Sequence, residues 1–74
     1  MKLPVISGDD FVKRVKKRGF VFEKQEGSHM ILRLNIHPFT KLSVPKHKEL
    51  AKGLLRKLLN DANLSVDEFI RLKK

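Results

Sequence analysis

The sequence predicts an α+β fold of two layers, a three-stranded antiparallel sheet covered on one face by helices. Three observations predict it. Residues 20–25 and 30–35 set apolar side chains at a period of two on either side of Gly27-Ser28. Residues 7–18 and 48–59 set them at the helical period instead. Between these blocks a third short run, Lys41 to Val44, is bounded by Pro38 and Pro45, and proline is excluded from the interior of a central strand.

Residues 1–6 form a lead-in, with Pro4 discouraging an early helix. Ser7 is a good N-cap and Asp10 completes a capping-box pattern, while Ile6 and Phe11 hold the two hydrophobic-staple positions. The helix runs to about Arg18 and stops at Gly19, with Phe11, Val12 and Val15 toward a core and Lys13, Arg14, Lys16, Lys17 and Arg18 mostly toward solvent. In the strands that follow, Phe20 and Phe22 share one side, as do Met30, Leu32 and Leu34, and both sets are expected to face the same core. Val21 and Glu23 lie opposite, together with His29, Ile31 and Arg33. Residues 36–40 make a loop, and Leu42 and Val44 of the third strand point inward.

Pro45 ends that strand, and a second helix is expected to begin around His47 or Lys48. Leu50, Ala51, Leu54, Leu55, Leu58 and Leu59 fall in pairs four apart and define a stripe that covers the sheet. On its flank Lys48, Lys52 and Arg56 recur at i, i+4 and i+8, a row of cations spaced at ~6 Å. Gly53 interrupts the helix and suggests close packing against a neighbouring backbone. Asn63 is suited to the left-handed conformation that closes a helix. Ser65 with Glu68 repeats the capping box, Leu64 with Phe69 repeats the staple, and a short last helix from Val66 to about Leu72 docks through Val66, Phe69 and Ile70. The order is α-β-β-β-α plus a short C-terminal helix. Three strands on short connections must be antiparallel, and helices with one apolar face each must cover the single apolar face of the sheet. That is a two-layer sandwich of the double-stranded-RNA-binding-domain kind.

Seventy-four residues make a single domain spanning 1–74, small enough that folding buries only about 60% of the surface and leaves little room for a deep pocket. The absence of cysteine excludes disulfide scaffolds and thiolate metal sites. Neither a signal peptide nor a membrane span can be read, so a soluble cytoplasmic protein with no membrane association is expected. Charge is the strongest global signal: 17 Lys+Arg against 8 Asp+Glu give a formal net charge of +9. Such a surface attracts a polyanion, although a lysine-rich solubilising coat has the same composition.

The best-seated titratable group near neutral pH is His29. Gly27 can take φ > 0 where the hairpin reverses, Ser28 follows it, and the imidazole then stands at the first position of the second strand, on the face away from the apolar layer. Around it, several fragments together resemble the HicA (YcfA-like) toxin family of bacterial and archaeal toxin–antitoxin systems. They are Arg18-Gly19-Phe20, Gly27-Ser28-His29, His37-Pro38, Val44-Pro45 with His47 two residues on, Lys52-Gly53 followed by Leu54, and Leu58 to Leu64. The ordered set covers almost the whole chain. The resemblance implies a small mRNA interferase with a double-stranded-RNA-binding-like fold, ribosome-independent RNA cleavage, and inhibition by a HicB-type antitoxin. It carries catalysis onto His29 only, with Gly27 and Ser28 as its supporting motif. Many relatives have a second histidine where this chain has Met30, and a glycine where it has Asn63; Met30 is read as a core residue, and Asn63 tolerates the same backbone conformation.

RNA can be cleaved without metal or cofactor because its own 2′-OH is the nucleophile. A general base is then the minimum requirement, and imidazole is the side chain best matched to neutral pH. His29 is the candidate base, with Lys24, Arg33, Lys46 and Lys48 as candidates to stabilise charge on the phosphate. His47 is either a second proton carrier or a residue that fixes the strand-to-helix turn, and His37 reads as a loop residue. Spacings of eight and ten residues between the histidines, with no H-E-x-x-H pattern, do not suit a zinc site. The row Lys48, Lys52 and Arg56, with Lys13, Lys16 and Lys17, is suited to an RNA backbone or an acidic antitoxin; a solvated helix face has the same pattern. Two other functions stay open. One is a non-catalytic RNA-binding module of the same fold, the other a basic adaptor whose only partner is an acidic protein.

Overall fold

A computed structural model describes residues 2–36 and 39–72. Ser7 opens the first helix as its sequence requires: extended itself, it accepts a hydrogen bond on its side chain from the Asp10 N–H at 3.1 Å. That helix, α1 (Gly8–Lys16), carries Asp9 and Asp10 in its first turn and basic residues in its last, both favourable to the helix dipole. Its C-cap is Lys17, and Gly19 at φ 102° turns the chain into the sheet. The strands β1 (Phe20–Glu26), β2 (His29–Leu34) and β3 (Lys41–Pro45) form an antiparallel sheet in the order β1-β2-β3. Two helices follow, α2 (Lys52–Asp61) and α3 (Val66–Arg71).

The apolar face of the sheet holds Phe20, Met30, Leu32, Leu42 and Val44, all buried under Phe11, Val12, Val15, Leu55, Leu58, Leu59 and Phe69. Phe69 lies at the centre, its ring 5.2 Å from that of Phe11 and covered by the Arg14 guanidinium at 5.0 Å. Asn63 takes φ 58° and closes α2 with two backbone bonds, Leu64 N–H to the Leu59 carbonyl and Asn63 N–H to the Asn60 carbonyl. This is a Schellman closure, made by asparagine rather than glycine. Ser65 and Glu68 make both halves of a capping box at the start of α3. No polar or charged residue is buried among the described residues, so any chemistry is surface chemistry.

Three expectations need correction. Phe22 is 42% exposed rather than in the core: it pairs with the buried Leu32 on the inner face, but on an edge strand, immediately before a bulge between Phe22 and Lys24. The same bulge sets Lys24, not Glu23, opposite Ile31 on the outer face. The second helix starts at Lys52, four or five residues later than its periodicity suggests. Residues 46–50 spend their backbone groups elsewhere: Lys46 N–H donates to the Ser28 carbonyl at 2.7 Å, the His47 carbonyl accepts from Gly8 N–H at 2.9 Å, and Leu50 N–H donates to the Ile6 carbonyl at 2.8 Å. Leu50 is still buried, but from this lead-in, and Ala51 is exposed. Lys48 therefore lies outside the helix, and the row of three cations reduces to Lys52 and Arg56. Finally, Gly53 has open space around it, whereas a Cβ on Gly8 would collide with the Pro45 carbonyl oxygen.

Glycine is thus required at the helix start and dispensable inside α2. Gly8→Ala is expected to cost about 2 kcal/mol or more, the overpacking range, since the obstacle is backbone. Gly53→Ala is expected to stabilise by about 0.4–1 kcal/mol; urea melts of the two variants check both signs. The Ser65 backbone N–H holds the Glu68 carboxyl below its ordinary value of 4.5, with the Ser65 hydroxyl and Arg18 adding to the shift. A carboxylate depressed in the fold stabilises fully above its unfolded pKa and loses that contribution as pH falls through the folded one. The stability advantage of wild type over Glu68→Gln is therefore expected to be flat at neutral pH and to shrink only below about pH 4.5, read by melts in a pH series.

Candidate active site at the hairpin end of the sheet

Glu26 pairs with His29, leaving Gly27 and Ser28 as a two-residue hairpin loop. Gly27 takes φ 58° while Ser28 does not enter the left-handed region, the sign pattern of a type II′ turn. The Gln25 amide donates to the Gly27 carbonyl at 3.1 Å and braces the loop. His29 is the first residue of β2 and is exposed, while its neighbour Met30 is 5% exposed in the core. Alternation therefore sends the imidazole to the sheet face away from the helices. Across the sheet it stands between Glu26 of β1 and Pro45 of β3.

The bond from Lys46 N–H to the Ser28 carbonyl continues this ladder one residue beyond β3. Lys46 is thereby seated beside the turn, and His47 follows, exposed, with its own carbonyl tied to the first residue of α1. One end of the sandwich thus gathers the Gly27-Ser28 turn, His29, Lys46, His47 and Lys48. His37 and Pro38 lie outside the described residues.

The cations expected to bind a polyanion do not form one surface. Lys24 shares the outer sheet face with His29 but is paired with Glu26 at 3.1 Å, and that hydrogen bond and charge hold its ammonium pKa above the ordinary 10.5. Arg33 lies on the same face, four residues along β2 from His29, and is free of any ion pair among the described residues. Lys41, opposite Arg33 on β3, reaches Glu23 at 3.7 Å. Lys52 and Arg56 belong to the helix layer, as do Lys13, Lys16 and Lys17, and so face a different side of the molecule from the imidazole. No cluster of three or more metal-ligating side chains occurs among the described residues. The junction of α2 and α3 carries a shallow polar depression lined by Asn60, Asn63, Leu64, Ser65 and Glu68, which none of the histidines borders.

Two residues of this end were not legible in advance. Gly8 follows an N-cap at a position where alanine would be ordinary, so nothing local marks its close approach to Pro45. Glu26 becomes the cross-strand neighbour of His29 only once the loop is known to have two residues.

Fold and site define a class: a basic two-layer α+β protein with no buried polar or charged side chain among the described residues and with exposed His29 and His47 near a braced hairpin. The chain belongs to the HicA toxin family, described as the HicA toxin of bacterial toxin–antitoxin, which matches residues 8–64. The match runs from the first residue of α1 to the buried Leu64 that closes α2. No curated protein and no solved structure matches the chain. No helix among the described residues is long and apolar enough to cross a membrane.

Proposed function

We propose that this toxin is a metal-independent mRNA endoribonuclease, an interferase, that works as one domain in the cytoplasm with His29 as its general base. The reading is supported above all by one observation: an imidazole stands exposed on the first residue of an ordered strand, on the sheet face that no helix covers. A base needs reach to its proton and a fixed seat, and a strand flanked on both sides supplies the seat. His29 takes the proton of the RNA 2′-OH, the 2′-oxygen attacks the adjacent phosphorus, and the bond to the 5′-oxygen breaks.

Distance sorts the cations. At ~3.4 Å per residue Arg33 lies ~14 Å from His29 along β2, too far to touch the phosphate under attack. Its role is to hold a phosphate farther along the strand. Lys46, seated beside Ser28, is the cation best placed to stabilise charge on the reacting phosphate, with Lys48 next to it. Lys24 contributes less because Glu26 already holds it. Lys52 and Arg56 serve flanking RNA or the antitoxin. A HicB-type antitoxin with an acidic face inhibits by covering the cations and His29 together, which removes RNA access and catalysis in one step.

The experiment is cleavage of a defined RNA in EDTA by wild type and His29→Ala, with end-group analysis and a binding assay. Wild type is expected to leave a 2′,3′-cyclic or 3′-phosphate and a 5′-OH. The variant is expected to bind with unchanged affinity and to cut about 10²–10⁴-fold more slowly. A 3′-OH product that requires Mg²⁺ contradicts the mechanism. Binding by both proteins with cleavage by neither identifies a non-catalytic RNA-binding module.

A further inference from the structure

We infer that His47 is the general acid of the same reaction, protonating the 5′-oxygen as it leaves; this inference rests on the interferase reading. Transesterification needs two proton transfers on opposite sides of the phosphorus, one from the nucleophile and one to the leaving group, and one imidazole can make only the first. The hairpin end supplies a second imidazole. Pro45 has no N–H, and the next pair outward, Ser28 with Lys46, is bridged by a hydrogen bond, so His29 and Pro45 form a non-hydrogen-bonded pair with Cα atoms ~4.5 Å apart. His47 is two residues beyond Pro45. It lies past the end of β3, exposed, at the end of the sheet where His29 begins β2. The two histidine Cα atoms are then roughly 8 Å apart, one strand over and two residues on. Two imidazoles at that spacing can take hydrogen bonds to the two apical oxygens of one phosphate between them.

The backbone of His47 is fixed without help from its side chain. Its carbonyl accepts from Gly8 N–H, and the neighbouring Lys46 N–H is held by Ser28. The imidazole is exposed and makes no hydrogen bond or ion pair with another described residue. A residue that shaped the turn through its side chain would show such a bond, and here the main chain does that work. In the step, neutral His29 gains the 2′-OH proton, the 2′-oxygen to phosphorus bond forms, the phosphorus to 5′-oxygen bond breaks, and protonated His47 delivers its proton to that oxygen. The products are a 2′,3′-cyclic phosphate and a 5′-OH. Solvent then restores both protonation states.

The test uses two RNA substrates, one ordinary and one with sulfur in place of the scissile 5′-oxygen, because a thiolate leaves without a proton. On ordinary RNA, His47→Ala and His47→Gln are expected to cut about 10²–10⁴-fold more slowly than wild type. On the sulfur substrate both are expected to come within a few-fold of wild type, while His29→Ala keeps its full loss. An equal loss on both substrates makes His47 a structural residue and overturns the proposal, as does unimpaired cleavage of ordinary RNA by either folded variant. If neither variant folds, as read by circular dichroism, His47 is required for the structure and the proposal fails. Loss of rescue with wild type active and His29→Ala inactive refutes the acid alone; inactivity of wild type refutes the interferase reading itself.

Discussion

The first turn of α1 lies against the backbone of Pro45 so closely that residue 8 can carry no side chain. From this contact the rest of the hairpin end follows. Gly8 N–H, one of the free donors at a helix start, is satisfied by the His47 carbonyl, and two residues before it the Ile6 carbonyl takes the N–H of Leu50. The segment between β3 and α2 is thereby laced to the N-terminal segment on one side and, through Lys46 and Ser28, to the β1–β2 turn on the other. A stretch that composition would leave as a loose basic loop is tied down along its length. It carries Lys46, His47 and Lys48 to the place where His29 stands.

Local signals explain which parts of this fold were legible in the sequence. Each helix start with a serine cap and a staple was placed to within a residue, because Ser7 and Ser65 satisfy free N–H groups within their own turn. The hairpin was legible because only a glycine at its tip takes the required φ cheaply, and the closure at Asn63 for the related reason that asparagine tolerates it. What failed was nonlocal. The α2 stripe extends in sequence through Leu50, but those residues find hydrogen-bond partners in residues 6–8, about forty positions away, and no periodicity reports that. Phe22 keeps the alternation of a buried residue, yet it lies on an edge strand beside a bulge and is exposed. Gly53 and Gly8 were indistinguishable by sequence, since the requirement for glycine lies in the partner backbone and not in the helix.

The site was legible to the same degree. The exposure of His29 followed from alternation with Met30, which is local. The distribution of cations did not follow, because net charge says how many there are and not which layer carries them. Of the nine basic residues singled out, Lys46 and Lys48 share the hairpin end with His29, Lys24 and Arg33 share its sheet face, and Lys13, Lys16, Lys17, Lys52 and Arg56 sit in the helix layer. Membership of the HicA toxin family is consistent with a reactive surface group on a small fold, but fold and family do not supply a mechanism; the proposed one rests on the placement of His29, Lys46 and His47 at one end of the sheet.

The central claim is that the reacting phosphate of the RNA is held at the hairpin end and not on the helices. It is tested most directly by following backbone amide resonances while the protein is titrated with an RNA whose 2′-hydroxyls are methylated and therefore cannot be cut. The account predicts the largest shifts at Gly27, Ser28 and His29 and at Lys46, His47 and Lys48, with smaller ones along the outer face toward Arg33. Shifts confined to α1 and to Lys52 and Arg56 of α2, with the hairpin end unmoved, would contradict it.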